Sequence, residues 1–154
     1  MRQELMAIIA ANADYASCID ADGLEDWPSF FTENCLYRVT TAQNMRDGLE
    51  ASIVFANSRG MLIDRVSALR QANIYERQTY RHILGMARVI GLEGADIRSE
   101  TPFMIARIMR DGTTSLFATG LYRDVWRREP ELKLAERVVI CDSSRIDTLL
   151  ALPL

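Results

Sequence analysis

The chain has 154 residues, 49% of them hydrophobic and 25% charged, which is enough apolar material for one domain with its own core. Its net charge of −3 and the absence of any basic run argue against a nucleic-acid partner. The first residues, from Met1 to Asp22, lack a basic flank followed by an apolar core, so neither a signal peptide nor a membrane span is expected.

With no repeat, linker or low-complexity tract, residues 1–154 read as a single domain. Leu5, Ile8, Ile9, Asn12, Tyr15, Ala16 and Ile19 fall at helical spacing and predict an amphipathic first helix. Asp22-Gly23 breaks it, and Asp22 is expected to cap a short second helix carrying Leu24, Trp27, Phe30 and Phe31. Cys35 to Thr40 is strand-like, Asp47-Gly48 marks a turn, and Ala51 to Ala56 is another candidate strand. Met61, Leu62, Val66 and Leu69 predict a third helix. Tyr80 to Ile90 reads as one strand, followed by Thr101 to Arg110 and Ser115 to Trp126. Asp111-Gly112 between the last two predicts a hairpin with a type I′ turn. After a turn at Arg128 to Glu131, Leu132 to Cys141 forms the last strand, with Leu134, Glu136 and Val138 sharing one face and Arg137 the other. Helices first and a long meander after imply an α+β domain whose curved antiparallel sheet closes around the early helices.

Six stretches in register resemble the small, or β, subunits of Rieske-type aromatic-ring-hydroxylating oxygenases. They are Leu24 to Thr32, Tyr37 to Thr40, Gly60 to Val66, Tyr80 to Leu84, Gly120 to Asp124 and Glu136 to Asp142. Ala72 to Arg77 and Asp147 to Leu154 are similar to the branch of the salicylate 5-hydroxylase and terephthalate 1,2-dioxygenase small subunits. The resemblance implies a cone-shaped fold of the nuclear-transport-factor-2 (cystatin-like) type. It also implies an assembly of three large and three small subunits. In that family the large subunit carries a Rieske [2Fe-2S] cluster and a mononuclear non-haem iron, and a reductase, in some systems with a ferredoxin, supplies electrons. The small subunit would then be a structural component of an enzyme acting on an aromatic carboxylate.

The residues themselves bear on chemistry. A Rieske cluster needs two histidines and two cysteines, and a non-haem iron(II) site two histidines and a carboxylate. The chain has one histidine, His82, so it builds neither, and no catalytic, cofactor-binding or metal residue is expected. A zinc site from Cys18, Cys35, Cys141 and His82 has the ligand count but not the spacing. Three scattered thiols suit a reducing compartment, which places the chain in the cytoplasm. His82 is read first as structural. The rival reading is a stand-alone dehydratase or isomerase of the same cone fold, with His82 and an aspartate such as Asp22 or Asp26 as an acid–base pair. A small-molecule binding module, with Trp27, Phe30 and Phe31 lining a pocket, is a third, although such aromatic residues usually fill a core. Glu136 is expected to face inward and need an ion-pair partner. Arg123, Glu136 and Arg137 are candidates for a polar self-association contact, and Arg123, Arg127 and Arg128 otherwise form a solvated rim. The apolar end, with Ile146, Leu149, Leu150, Leu152 and Leu154, is expected to dock on a partner; the alternative is that it closes the chain's own core.

Overall fold

A computed structural model describes residues 1–72, 77–145 and 152–154. Helix α1, Arg2–Asp20, buries Ile8, Asn12, Tyr15, Ala16 and Ile19, the stripe that its three- and four-residue spacing defines. Asp22 follows in the left-handed region at φ 61°. It caps no helix: its carboxylate accepts from Arg70 at 3.0 Å instead. The expected second helix is one 3-10 turn, Trp27–Phe30, with Pro28 near its start. Strand β1 (Phe31–Thr41) runs into a short helix α2 (Ala42–Arg46) that was not foreseen; Thr41 caps it by accepting the Asn44 N–H. Strand β2 covers only Val54–Ala56. Helix α3, Arg59–Gln71, begins at Ser58, whose hydroxyl accepts the Met61 N–H.

The stretch read as one strand from Tyr80 to Ile90 is two, β3 (Gln78–Leu84) and β4 (Arg88–Glu93). Both pair with the long β5 (Asp96–Met109), β3 along its second half and β4 along its first. The change of partner falls at Pro102, which has no N–H to give to a ladder. There the Gly85 N–H donates to the Pro102 carbonyl at 2.8 Å, and a Cβ on Gly85 would meet the proline ring at 3.2 Å.

Strands β6 (Thr114–Arg128) and β7 (Leu132–Cys141) complete a sheet of order β2-β1-β7-β6-β5-β3. It is mixed rather than purely antiparallel, because β1 and β7 run parallel. The β5–β6 turn is not type I′: only Gly112 has positive φ, at 90°, while Asp111 does not. The Gly112 N–H donates to the Met109 carbonyl, and Asp111 accepts the Thr113 N–H at 2.8 Å. A type I turn closed by a left-handed glycine gives this pattern. The sheet curls round α1 and a core in which Trp27, Phe31, Tyr37, Tyr15 and Tyr122 pack edge to face.

Alternation along β7 breaks at one residue. Trp126 pairs with Leu134, but Val125 pairs with Glu136, so Ala135 is the extra residue of a bulge. Inward parity therefore passes from Leu134 to Arg137, Val139 and Cys141. The expected orientations of Glu136 and Arg137 are reversed: Arg137 is wholly buried and Glu136 is only half-buried.

Candidate functional site

Two polar constellations sit on the inner side of the sheet. In the first, the Arg137 guanidinium lies over the rings of Tyr122 at 4.0 Å and Tyr15 at 4.3 Å. Its Nε and Nη2 donate to both oxygens of Asp124 at 2.8 Å, and Nη2 also donates to Asn12 Oδ1. Asn12 in turn donates to Thr101 at 3.2 Å. This ties α1, β5, β6 and β7 together in the middle of the cone. Burial pushes the Asp124 carboxyl up, and the adjacent guanidinium opposes that shift. Burial alone would lower Arg137, but the Asp124 charge more than restores it, so the guanidinium stays a cation. Arg137 therefore cannot join a self-association contact, as its sequence position had suggested.

The second constellation is His82 on β3 and Asp20 at the end of α1. His82 Nδ1 meets Asp20 Oδ1 at 2.7 Å, and the His82 backbone N–H donates to Asp20 Oδ2 at 2.9 Å. The aspartate beside His82 is thus Asp20, not Asp22 or Asp26. Asp22 is engaged with Arg70, and Asp26 precedes the 3-10 turn. Sequence reasoning missed Asp20 because it sits on the last turn of α1, where an acidic residue reads as ordinary solvated surface. His82 Nε2 is buried and has no hydrogen-bond partner. A cleft of about 440 Å³ opens nearby between Asp20, Asp22, Arg70 and Thr79, and His82 does not line it.

The remaining candidates fall elsewhere. Trp27 and Phe31 are fully buried core residues, and Phe30 is half-buried against Tyr15. Cys35 and Cys141 are buried, and Cys18 donates its thiol hydrogen to the Gly23 carbonyl. Among the described residues no group of three or more His, Cys, Asp or Glu stands close enough to hold a metal ion. Arg123 reaches Glu100 at 3.4 Å and Arg127 reaches Asp96 at 2.8 Å, both on the outward face of the sheet.

The end of the chain departs from the docking expectation where it is described. Leu152, Pro153 and Leu154 are buried in this chain's own cone. The Tyr15 and Tyr37 hydroxyls donate to the Leu154 carbonyl at 2.9 and 3.2 Å, and the Leu154 N–H donates to Tyr37 Oη. Ile146, Leu149 and Leu150, like Asn73 to Glu76 of the resembling segment, lie outside the described residues.

The outward sheet face is the opposite of the filled interior. Ile83 and Met104 are cross-strand partners there, exposed by 54% and 42%. Pro102 stands next to them, exposed, and pairs with Leu121.

A helix enclosed by a curled mixed sheet defines the class, the nuclear-transport-factor-2-like cone. A family model of the ring hydroxylating beta subunit matches residues 15–148, and the chain belongs to that family. It is 51% identical over 148 residues, 96% of each chain, to the terephthalate 1,2-dioxygenase terminal oxygenase component subunit beta 1 of Comamonas sp.. It is 37% identical to the anthranilate 1,2-dioxygenase small subunit of Burkholderia cepacia, over 91% of this chain and 88% of that one. A crystal structure from Novosphingobium aromaticivorans, assigned to the β subunit of an aromatic-ring-hydroxylating dioxygenase, superposes with a TM-score of 0.92 at 38% identity, covering 99% of this chain and 98% of that one. The β subunit of the benzoate 1,2-dioxygenase of Burkholderia mallei shares the fold, with a TM-score of 0.75 at 13% identity over 97% of both chains. The chain is thus the small subunit of an aromatic-ring-hydroxylating dioxygenase, an enzyme component whose partner is a large subunit. No helix among the described residues is long and apolar enough to cross a membrane.

Proposed function

We propose that this chain, residues 1–154 as one domain, is a non-catalytic scaffold. In this reading it forms the trimeric base of an α3β3 oxygenase in the cytoplasm. One observation carries it: the cone is filled with the chain's own rings and a closed Arg137–Asp124 pair, while apolar side chains stand exposed on the outward sheet face at Ile83, Met104 and Pro102. Exposed apolar patches of this kind mark contact surfaces. The large subunits would hold the Rieske cluster and the mononuclear iron, with a reductase, or a reductase and ferredoxin, acting on the whole. The dioxygenases named for terephthalate and anthranilate among its relatives favour an aromatic carboxylate as substrate. Because electrons would pass between neighbouring large subunits, a base that fixes their spacing would govern the rate without touching substrate.

An acid–base enzyme using His82 is the second reading, and the His82–Asp20 pair is the observation in its favour. It needs Nε2 to face a substrate, whereas that atom is sealed. Co-expression with the large subunit decides between them. The scaffold reading expects a coloured complex with an iron–sulfur absorption band, and a colourless, metal-free small subunit when purified alone. Stoichiometric iron or zinc retained by the lone chain, or failure to co-purify with the large subunit, would overturn it.

A further inference from the structure

Three Asp-Gly pairs stand in the sequence, Asp22-Gly23, Asp47-Gly48 and Asp111-Gly112, and the first two are both followed by leucine. An aspartate before glycine is open to attack by the next backbone nitrogen on its own side chain, because glycine carries no Cβ to shield that nitrogen. The fold treats the three pairs differently. Arg70 holds both Asp22 carboxylate oxygens at 3.0 Å, and the Gly23 N–H donates to the Cys18 carbonyl at 2.8 Å. Leu24, which follows, is fully buried. The Asp111 carboxylate accepts the Thr113 N–H at 2.8 Å, which holds the carboxyl below its ordinary range and so in the charged form. The Gly112 N–H donates to the Met109 carbonyl at 2.9 Å. At Asp47 these guards are absent or weaker. Its carboxylate is exposed and makes no hydrogen bond or ion pair with the described residues. The Gly48 N–H donates to the Met45 carbonyl at 3.3 Å, the longest of the three contacts, and Leu49 is 53% exposed. Asp47 also ends the five-residue helix α2, and so short a helix frays without disturbing the sheet.

We infer that Asp47, alone of the three, is a modification site of the native chain: its linkage to Gly48 closes to a succinimide and reopens as isoaspartate, the substrate class of isoaspartyl carboxyl methyltransferases. The Gly48 nitrogen forms a bond to Asp47 Cγ, and its proton leaves with the carboxyl hydroxyl as one water. A second water then splits one of the two imide C–N bonds. Cleavage on the Cγ side returns aspartate. Cleavage on the other side routes the main chain through Cγ, adds a methylene to it and leaves a free α-carboxylate. No oxidant or reductant takes part. The added methylene lengthens the turn that leads to Ala51, whose carbonyl accepts the Thr40 hydroxyl at 3.0 Å. The site goes beyond the scaffold reading and does not depend on it, because it lies in one exposed turn of one chain.

The test ages the full chain at neutral pH and physiological temperature. Isoaspartate is then located by peptide mapping with electron-based fragmentation and totalled by methyl transfer from labelled S-adenosylmethionine. It should build up at Asp47 roughly tenfold faster than at Asp22 or Asp111, the factor that one protecting hydrogen bond is worth. In urea the three rates should converge, and Asp22 and Asp47, with the same two following residues, should become nearly equal. Asp47→Glu, which would have to close a larger ring, should remove most of the methyl-accepting signal from the folded chain. Arg70→Ala should raise the rate at Asp22. Absence of isoaspartate at Asp47 in the folded chain, equal rates at the three sites, or a total unchanged by Asp47→Glu would overturn the site. A preference for Asp47 over Asp22 that persists undiminished in urea would show that the fold does not set it, and would overturn the inference as well.

Discussion

His82 and Asp20 are joined twice, ring to carboxylate and backbone N–H to the second carboxylate oxygen, so that one aspartate pins the centre of β3 to the last turn of α1. Both side chains are almost wholly removed from solvent. The pair closes the wall of the cone where helix and sheet meet.

His82→Ala should therefore destabilise the chain by about 2–3 kcal/mol, the scale of a buried hydrogen bond to a charged group. Activity per assembled complex should stay near wild type. Urea unfolding gives the first quantity and steady-state turnover, normalised to iron content, the second. A loss of a hundredfold or more per assembled complex, the size of a general acid–base contribution, would revive the enzymatic reading.

The Arg137–Asp124 pair should behave as buried ion pairs do. Arg137→Met alone should cost about 3–5 kcal/mol, because Asp124 is left uncompensated. Combining it with Asp124→Leu should recover most of that loss, since two apolar side chains of similar volume replace two desolvated charges. A double-mutant cycle in urea measures the coupling. Additive losses would contradict the cage.

Acid should loosen the β5–β6 hairpin and its outward face first. The Thr113 N–H holds the Asp111 carboxyl below its ordinary value near 3.8, and Arg127 does the same for Asp96. A carboxylate whose folded pKa is depressed contributes stability that is complete above the unfolded value and lost as pH falls through the folded one. The melting temperature should thus drop below about pH 4, and Asp96→Asn with Asp111→Asn should flatten that drop.

The outward patch gives the assembly prediction. Met104→Glu with Ile83→Asp should leave a soluble, folded small subunit, because both side chains are exposed. Co-purification of the large subunit, or the trimer seen by light scattering, should be lost if these residues are central to a contact, where single positions contribute about 2 kcal/mol or more. Unchanged assembly would move the contact elsewhere on the surface.

Thiol chemistry offers a simple check of the core. Burial pushes Cys141 up to about 12, with Asp142 adding to it. Cys141 and Cys35 should stay unmodified by a disulfide reagent at pH 8 in the native chain, while Cys18, only half-buried, reacts slowly. Three equally fast thiols would mean that the core opens readily.

Much of this architecture was legible in the residues. The stripe of α1 and the aromatic run from Trp27 to Phe31 announced a helix and a core, and the order of elements announced a helix wrapped by sheet. What escaped was set by single irregularities. The bulge at Ala135 reverses every orientation after it, and period-two reasoning carries no signal for it. The split of the β3–β4 stretch depends on Pro102, which lies in a different strand. The Asp20 partner of His82 and the Leu154 seat join residues far apart in sequence, so local pattern could reveal neither.

The parallel pairing of β1 with β7 also sets a schedule for the ribosome. Phe31 finds its ladder partner at Leu134, about a hundred residues later, and only β2 borders β1 on its other edge. The β1–β2 pair thus waits, with one edge of β1 unpaired, until β7 at Leu132–Cys141 has been synthesised. At a translation speed of about 5–20 residues per second that wait lasts several seconds. During it, β1 presents Cys35, Tyr37 and Val39 as an unprotected edge. Slow codons or a chaperone acting before β7 emerges should influence the yield of this subunit more than changes made after it.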